Sequence, residues 1–182
     1  MPQFRLNRSP YVKGDEPGVR TPHPFYALDD FAKGYVEAMF FTNGDTGDEK
    51  EDKLNELGVE RLTKASVAAI KSYCGDFLGQ IMPDGCFARQ WINRAESYDD
   101  EQAGRDLWFT AQGHGVGFWD RKELELDLFE PSAEQRAATQ TGGWRADGEG
   151  PCKGTIGEGL TEAAKKAGER YVEHWRGWIH FR

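Results

Sequence analysis

The sequence predicts an α+β fold: N-terminal helices, followed by an antiparallel sheet of two hairpins with a short helix between them. Three observations carry this expectation. Apolar residues recur at helical spacing through the first half, at Leu28, Phe31, Tyr35 and Met39 and again from Leu62 to Ile81. The stretch "RDLWFTAQGHGVGFWDR", Arg105 to Arg121, alternates large apolar with small or polar residues about a glycine centre. The last stretch, "ERYVEHWRGWIHFR", sets two aromatic runs around Arg176 and Gly177.

Taken in order, residues 1–24 mix Pro, Gly and scattered charge without periodicity and read as a flexible arm. Residues 25–182 read as a single α+β domain. Its first helix follows Pro24, a residue suited to a helix start. The segment "NGDTGDEKEDKLNELG" gathers Asp45, Asp48, Glu49, Glu51, Asp52 and Glu56 and reads as a solvated loop, with an acidic docking face as the sharper alternative. Leu62, Ile70, Tyr73, Phe77, Leu78 and Ile81 form the longest helical stripe, closed by Pro83 to Gly85. Cys74 falls on that stripe, so it reads as a buried small hydrophobe rather than a nucleophile. A shorter helix holds Phe87, Trp91 and Ala95. After the central hairpin, "KELELDLFE" places Leu124, Leu126 and Leu128 on one side and Glu123, Glu125 and Asp127 on the other, the pattern of a half-buried strand. Residues 130–158 lose periodicity and read as an irregular surface insertion. Leu160, Ala163, Ala164 and Ala167 restart a short helix that Gly168 terminates. In the closing hairpin Trp175 pairs with Trp178 and Glu173 with His180, while Val172, His174, Ile179 and Phe181 share the opposite face.

Composition narrows the function classes. Acids outnumber bases, 31 to 23, for a formal charge of −8, which disfavours broad, sequence-independent DNA binding and favours basic partners. Cys74, Cys86 and Cys152 are far apart and odd in number, so free thiols in a reduced, cytoplasmic setting are expected. No apolar leader or membrane-length run is visible. His23, His114, His174 and His180 show no paired ligand spacing, and the glycines make no phosphate-binding fingerprint, so neither a metal nor a cofactor is expected.

The nine residues "GHGVGFWDR", Gly113 to Arg121, raise the functional question. With Gly113 and His114 at a two-residue turn, Leu107, Phe109, Val116 and Phe118 face the core, and Trp108, Thr110 and Trp119 share the other side. Added to Trp175 and Trp178, this makes one sheet presenting four tryptophans. Packed under helices they are ordinary core; left exposed they mark a partner site. Flanking glycines leave His114 accessible and Asp120 is near in sequence, yet no motif fixes a nucleophile or second acid–base group beside it. A contact role for His114 is therefore preferred to a catalytic one. The candidate binding set is Trp108, Gly113, His114, Gly115, Trp119, Asp120, Arg121, Trp175 and Trp178, with no catalytic residue assigned.

The blocks "AGRDLWFTAQGHGVGFWDR", Ala103 to Arg121, and "GLTEAAKKAGE", Gly159 to Glu169, resemble a set of small phage- and mobile-element-encoded proteins. Those proteins carry a motif of the form AGxDFWLTRNGHGxGFWDR, followed by an LTEAAKxxGE helix and a terminal strand pair. Ala111 and Gln112 depart from the motif's Arg-Asn, and the insertion between Phe129 and Gly159 separates blocks that are normally close. The resemblance implies a phage or mobile-element origin and no particular activity.

The leading expectation is a non-enzymatic interaction protein that binds and modulates a host or defence component, as an inhibitor or a DNA mimic. DNA mimicry requires the carboxylates of residues 45–60 and 123–134 to lie on one face. The alternative is a small enzyme acting on nucleotides or nucleic acid, requiring a pocket that holds His114 beside Asp120 or Glu173. A single-strand-binding module, the third reading, requires a basic surface alongside the aromatics. Lys165, Lys166, Arg170, Arg176 and Arg182 near the C-terminal end supply candidates for it.

Overall fold

The computed structural model describes residues 11–13, 20–43, 57–82, 85–95, 97–125 and 155–182. Within the expected arm, strand β1 (Tyr11–Lys13) pairs antiparallel with β2 (Arg20–Pro22). Next to it His23 is buried: its Nε2 donates to the Leu62 carbonyl at 3.0 Å, and its Nδ1 accepts from the Phe25 amide at 3.2 Å. A single 3-10 turn, Pro24–Ala27, leads into the helices.

Most of the described helices start where a short polar side chain can satisfy their free amides. Helix α1 (Asp30–Asn43) is capped by Asp29, which accepts from the Ala32 amide at 2.8 Å. Helix α2 (Lys64–Leu78) is capped by Thr63, which accepts from the Ser66 amide at 3.0 Å. The short α3 (Ala88–Ile92) buries Trp91 and Ile92. Helix α5 (Ile156–Ala167) opens with a capping box formed by Thr155 and Glu158, and it ends where Gly168 takes φ 81°. Strands β3 (Val172–Trp175) and β4 (Trp178–Phe181) then pair in the expected register, Trp175 with Trp178 and Glu173 with His180.

The central hairpin is the main correction. Residues 100–111 form helix α4 (Asp100–Ala111), and the glycines that follow make its exit loop instead of a β-turn. Asp99 caps it, accepting from the Gln102 amide at 2.7 Å, and Asp100 and Glu101 favour the positive end of the helix dipole. Ala103, Leu107, Trp108 and Ala111, at helical spacing, point inward and bury, whereas Val116, assigned to the core by the hairpin register, is exposed. The strand expected from residue 123 is likewise absent from its described part: Lys122–Leu124 is a 3-10 turn with Leu124 buried. Leu126, Asp127 and Leu128, the acidic segment 44–56 and most of the 130–158 insertion lie outside the described residues.

Helices α1 and α4 pack along their length. Two glycines permit the approach. A Cβ on Gly34 would strike the Glu101 carbonyl, and one on Gly104 would strike the Phe31 carbonyl. Two aromatic assemblies fill the core below. Phe31, Phe77 and Phe118 stack in a column, with centroids 6.1 and 5.8 Å apart. Tyr35 sits among Tyr73, Trp108 and Phe181 at 5.5, 5.3 and 6.1 Å.

The terminal hairpin docks on the start of α2. Leu62 bridges to Ile179, the Thr63 amide and Ser66 hydroxyl both donate to the Ile179 carbonyl, and the Phe181 amide donates to Ser66 Oγ at 2.9 Å. Ile179 and Phe181 are thereby buried and the other side of the hairpin is left outward. Among the described residues, no helix is long and apolar enough to cross a membrane.

Candidate interaction surfaces

The motif from Ala103 to Arg121 is first of all a structural clasp. Asp106 is fully buried near the middle of α4. Its Oδ2 accepts from the Tyr98 hydroxyl at 2.7 Å and from Arg121 Nε at 2.6 Å; its Oδ1 accepts from Gln102 Nε2 at 3.0 Å and from Arg121 Nη2 at 2.5 Å. Four donors on two oxygens give the carboxylate its compensation for burial. Burial and the adjacent carboxylate push the Tyr98 hydroxyl far above its ordinary range, and the hydrogen bond to Asp106 holds the Arg121 guanidinium more firmly protonated.

Other members of the motif serve the same closure. Trp108, expected on an outward face, is buried, and its indole donates to Thr42 Oγ1 at 2.7 Å. Thr110 Oγ1 accepts from the Phe118 amide at 3.2 Å, and a Cβ on Gly117 would strike that same hydroxyl. Gln112, at one of the two departures from the resembled motif, donates to the Arg170 carbonyl at 2.7 Å and ties the loop to the approach of β3.

His114 sits in the exit loop instead of at a hairpin tip. Its amide donates to the Phe109 carbonyl at 2.9 Å, and its half-buried ring meets Phe109 edge-on at 5.9 Å. Gly113 makes the turn at φ 70°, and Gly115 is exposed beyond it. An open cleft of about 680 Å³ lies between this loop and α5, walled by His114, Trp119, Glu158, Thr161, Glu162 and Lys165. Asp120 and Glu173 are not among the residues lining it, so the pairing with His114 that the enzymatic reading required is not formed in this cleft. The carboxylates present have local duties: Glu158 accepts from the Thr155 amide at 2.9 Å, and Glu162 pairs with Lys165 at 3.0 Å. Glu158 and Glu162, four residues apart, share the face of α5 that borders the cleft, a spacing that the sequence analysis did not single out. Among the described residues, no group of three or more His, Cys, Asp or Glu is placed to hold a metal.

The outer face of the terminal hairpin is the second surface. Arg176 and Gly177 form its turn with φ of 51° and 78°, the doubly positive geometry of a tight two-residue connection. This turn projects Trp175 and Trp178 into solvent, 58% and 43% exposed. Each indole has a guanidinium over it: Arg176 lies 4.4 Å from the Trp175 ring, and Arg61 lies 5.7 Å from that of Trp178. Glu173 and His180 complete the face, with Arg182 paired to Glu173 at 3.3 Å. The His180 ring lies 6.1 Å from that of Trp175, and its Nε2 is buried without a partner among the described residues. Arg61 arrives from the turn Val59–Arg61, more than a hundred residues away in sequence, because Leu62 bridges to Ile179.

Of the four tryptophans expected together, three are therefore exposed, and they divide between two places: Trp119 at the cleft, Trp175 and Trp178 on the hairpin. No protein-family model, curated protein or solved structure matches this chain.

Proposed function

We propose that the protein is a phage- or mobile-element-encoded interaction protein that works by binding and modulating a host or defence component, with the outer face of the terminal hairpin as its contact surface. One observation carries the reading: Trp175 and Trp178 stand exposed side by side on a hairpin whose inner face is anchored to α2. Large rings held on a rigid support lose little entropy on contact, and Trp, Tyr and Arg dominate binding hot spots. Tyr171, 66% exposed and paired through its backbone with Arg182, extends the ring-rich surface. Arg121, a member of the candidate set, is committed to Asp106 and contributes by holding the fold rather than by contact.

The experiment is a cross-linking capture from host lysate with the full chain, the double variant Trp175→Ala/Trp178→Ala and, separately, His114→Ala. Loss of the captured component in the double variant, with retention in His114→Ala, supports the hairpin as the contact surface. Equal capture by the wild type and the double variant contradicts it.

A further inference from the structure

We infer that the component bound by the terminal hairpin is a single-stranded nucleic acid, whose bases stack on Trp175 and Trp178 and whose phosphates meet Arg61, Arg176 and Arg182. This rests on the reading of the hairpin as the contact surface and assigns that surface a partner chemistry.

An apolar protein partner fits a continuous apolar patch, whereas here each exposed indole has a guanidinium within 6 Å of its centroid, 4.4 Å at Trp175 and 5.7 Å at Trp178. Aromatic rings paired with guanidinium groups are the combination that sequence-tolerant single-strand binders use. Arg182 adds a third guanidinium, partly offset by Glu173. The face therefore carries three positive groups against two negative ones, Glu173 and, at the Tyr171 hydroxyl, Glu169, a local balance opposite in sign to the net charge of −8. At physiological salt, screening acts within about 8 Å, so charges elsewhere on the chain count little at this face. A duplex hides its base faces in the stack, so the indoles offer it nothing comparable.

The test measures anisotropy of labelled oligonucleotides of about 12 nucleotides, a length within the usual site size: single-stranded DNA, single-stranded RNA and a duplex control, titrated with the folded full chain. Binding of at least one single strand is expected, tighter than that of the duplex, with log affinity falling against log salt at a slope of about −2 for three phosphate contacts. Trp175→Ala and Trp178→Ala should each weaken it about 5- to 150-fold, the range for loss of one stacked base. Arg61→Ala/Arg176→Ala should flatten the salt slope, and unchanged circular dichroism of all variants keeps folding out of the comparison. Absence of binding to every single strand at about 50 mM salt, or equal binding by the tryptophan variants, overturns the inference. If oligonucleotides fail while nuclease-treated lysate still yields a component lost in the double tryptophan variant, the partner is a protein; this inference falls and the contact surface stands. If that capture fails as well, both fall.

Discussion

Arg121 reaches back fifteen residues to grip both carboxylate oxygens of Asp106, at 2.6 and 2.5 Å, and so closes the loop that follows α4 onto the helix itself. The carboxylate has no exposure to solvent and depends on its donors. Arg121→Ala should therefore lower stability by about 3–5 kcal/mol, the loss expected when one partner of a buried pair is removed. Arg121→Lys should recover only part of it, because an ammonium cannot make the two-point contact. Urea unfolding of the two variants checks this; a loss below about 1 kcal/mol in Arg121→Ala would mean that the pair behaves as a surface ion pair.

Gly34 and Gly104 invert an ordinary expectation. On an isolated helix, Gly→Ala stabilises by about 1 kcal/mol. Here the added methyl meets a backbone carbonyl of the facing helix in each case. Gly34→Ala and Gly104→Ala should each destabilise by about 1–3 kcal/mol, as overpacking does. Thermal unfolding gives the sign directly, and a raised melting temperature in either variant contradicts the close approach of α1 and α4.

Phe118 and His114 sit in one short segment with opposite roles. Phe118 is fully buried in the column over Phe77, so Phe118→Ala should cost about 3–5 kcal/mol. His114→Ala removes a half-buried ring whose described ring contact is Phe109, and it should leave the melting temperature nearly unchanged. Calorimetry on the two variants separates them; equal losses would place His114 in the core.

Two tyrosines give a pH signature. Tyr26 is pushed up to about 12 by partial burial and by its hydrogen bond to Glu60, and Tyr73 to about 12 chiefly by burial. The native state therefore favours both neutral phenols over the unfolded chain, where they titrate near 10. Their stabilising contribution is complete below about pH 10 and is lost as pH rises towards about 12. Absorbance titration should show Tyr26 and Tyr73 ionising late, with the more deeply buried Tyr35 and Tyr98 later still, and one late step missing in Tyr26→Phe. Tyr26 and Tyr73 both ionising near pH 10 in folded protein would contradict these environments.

The sequence made some elements legible and hid others for identifiable reasons. Helices α1, α2 and α5 and the terminal hairpin were readable because their signals agree: Phe31, Tyr35 and Met39 keep one period, Leu160, Ala163, Ala164 and Ala167 keep another that Gly168 ends, and Arg-Gly between aromatic runs specifies a tight turn; the first turn of α5, capped by Thr155, was hidden in the aperiodic stretch before Gly159. The segment of α4 misleads because Leu107, Phe109 and Ala111 alternate by coincidence while Ala103, Leu107 and Ala111 keep the helical period. Gly113, Gly115 and Gly117 then read as a hairpin centre when they serve as a helix exit. The partnership of Asp106 with Arg121 was hidden by the same error, since a hairpin register places the two side chains differently. Arg61 joins Trp178 only through the docking of β4 on α2, a tertiary contact with no local trace.

If the terminal hairpin is the contact surface, the tryptophans of the motif region and those of the hairpin respond differently to a partner. The chain has six indole N–H groups, each a separate signal in a nitrogen-correlated NMR spectrum. Adding the component captured from lysate should shift the signals of Trp175 and Trp178 while those of Trp91 and Trp108, both buried, stay in place. Movement of Trp119 with no change at Trp175 and Trp178 would put the contact at the cleft beside His114 and rule out the hairpin as the contact surface.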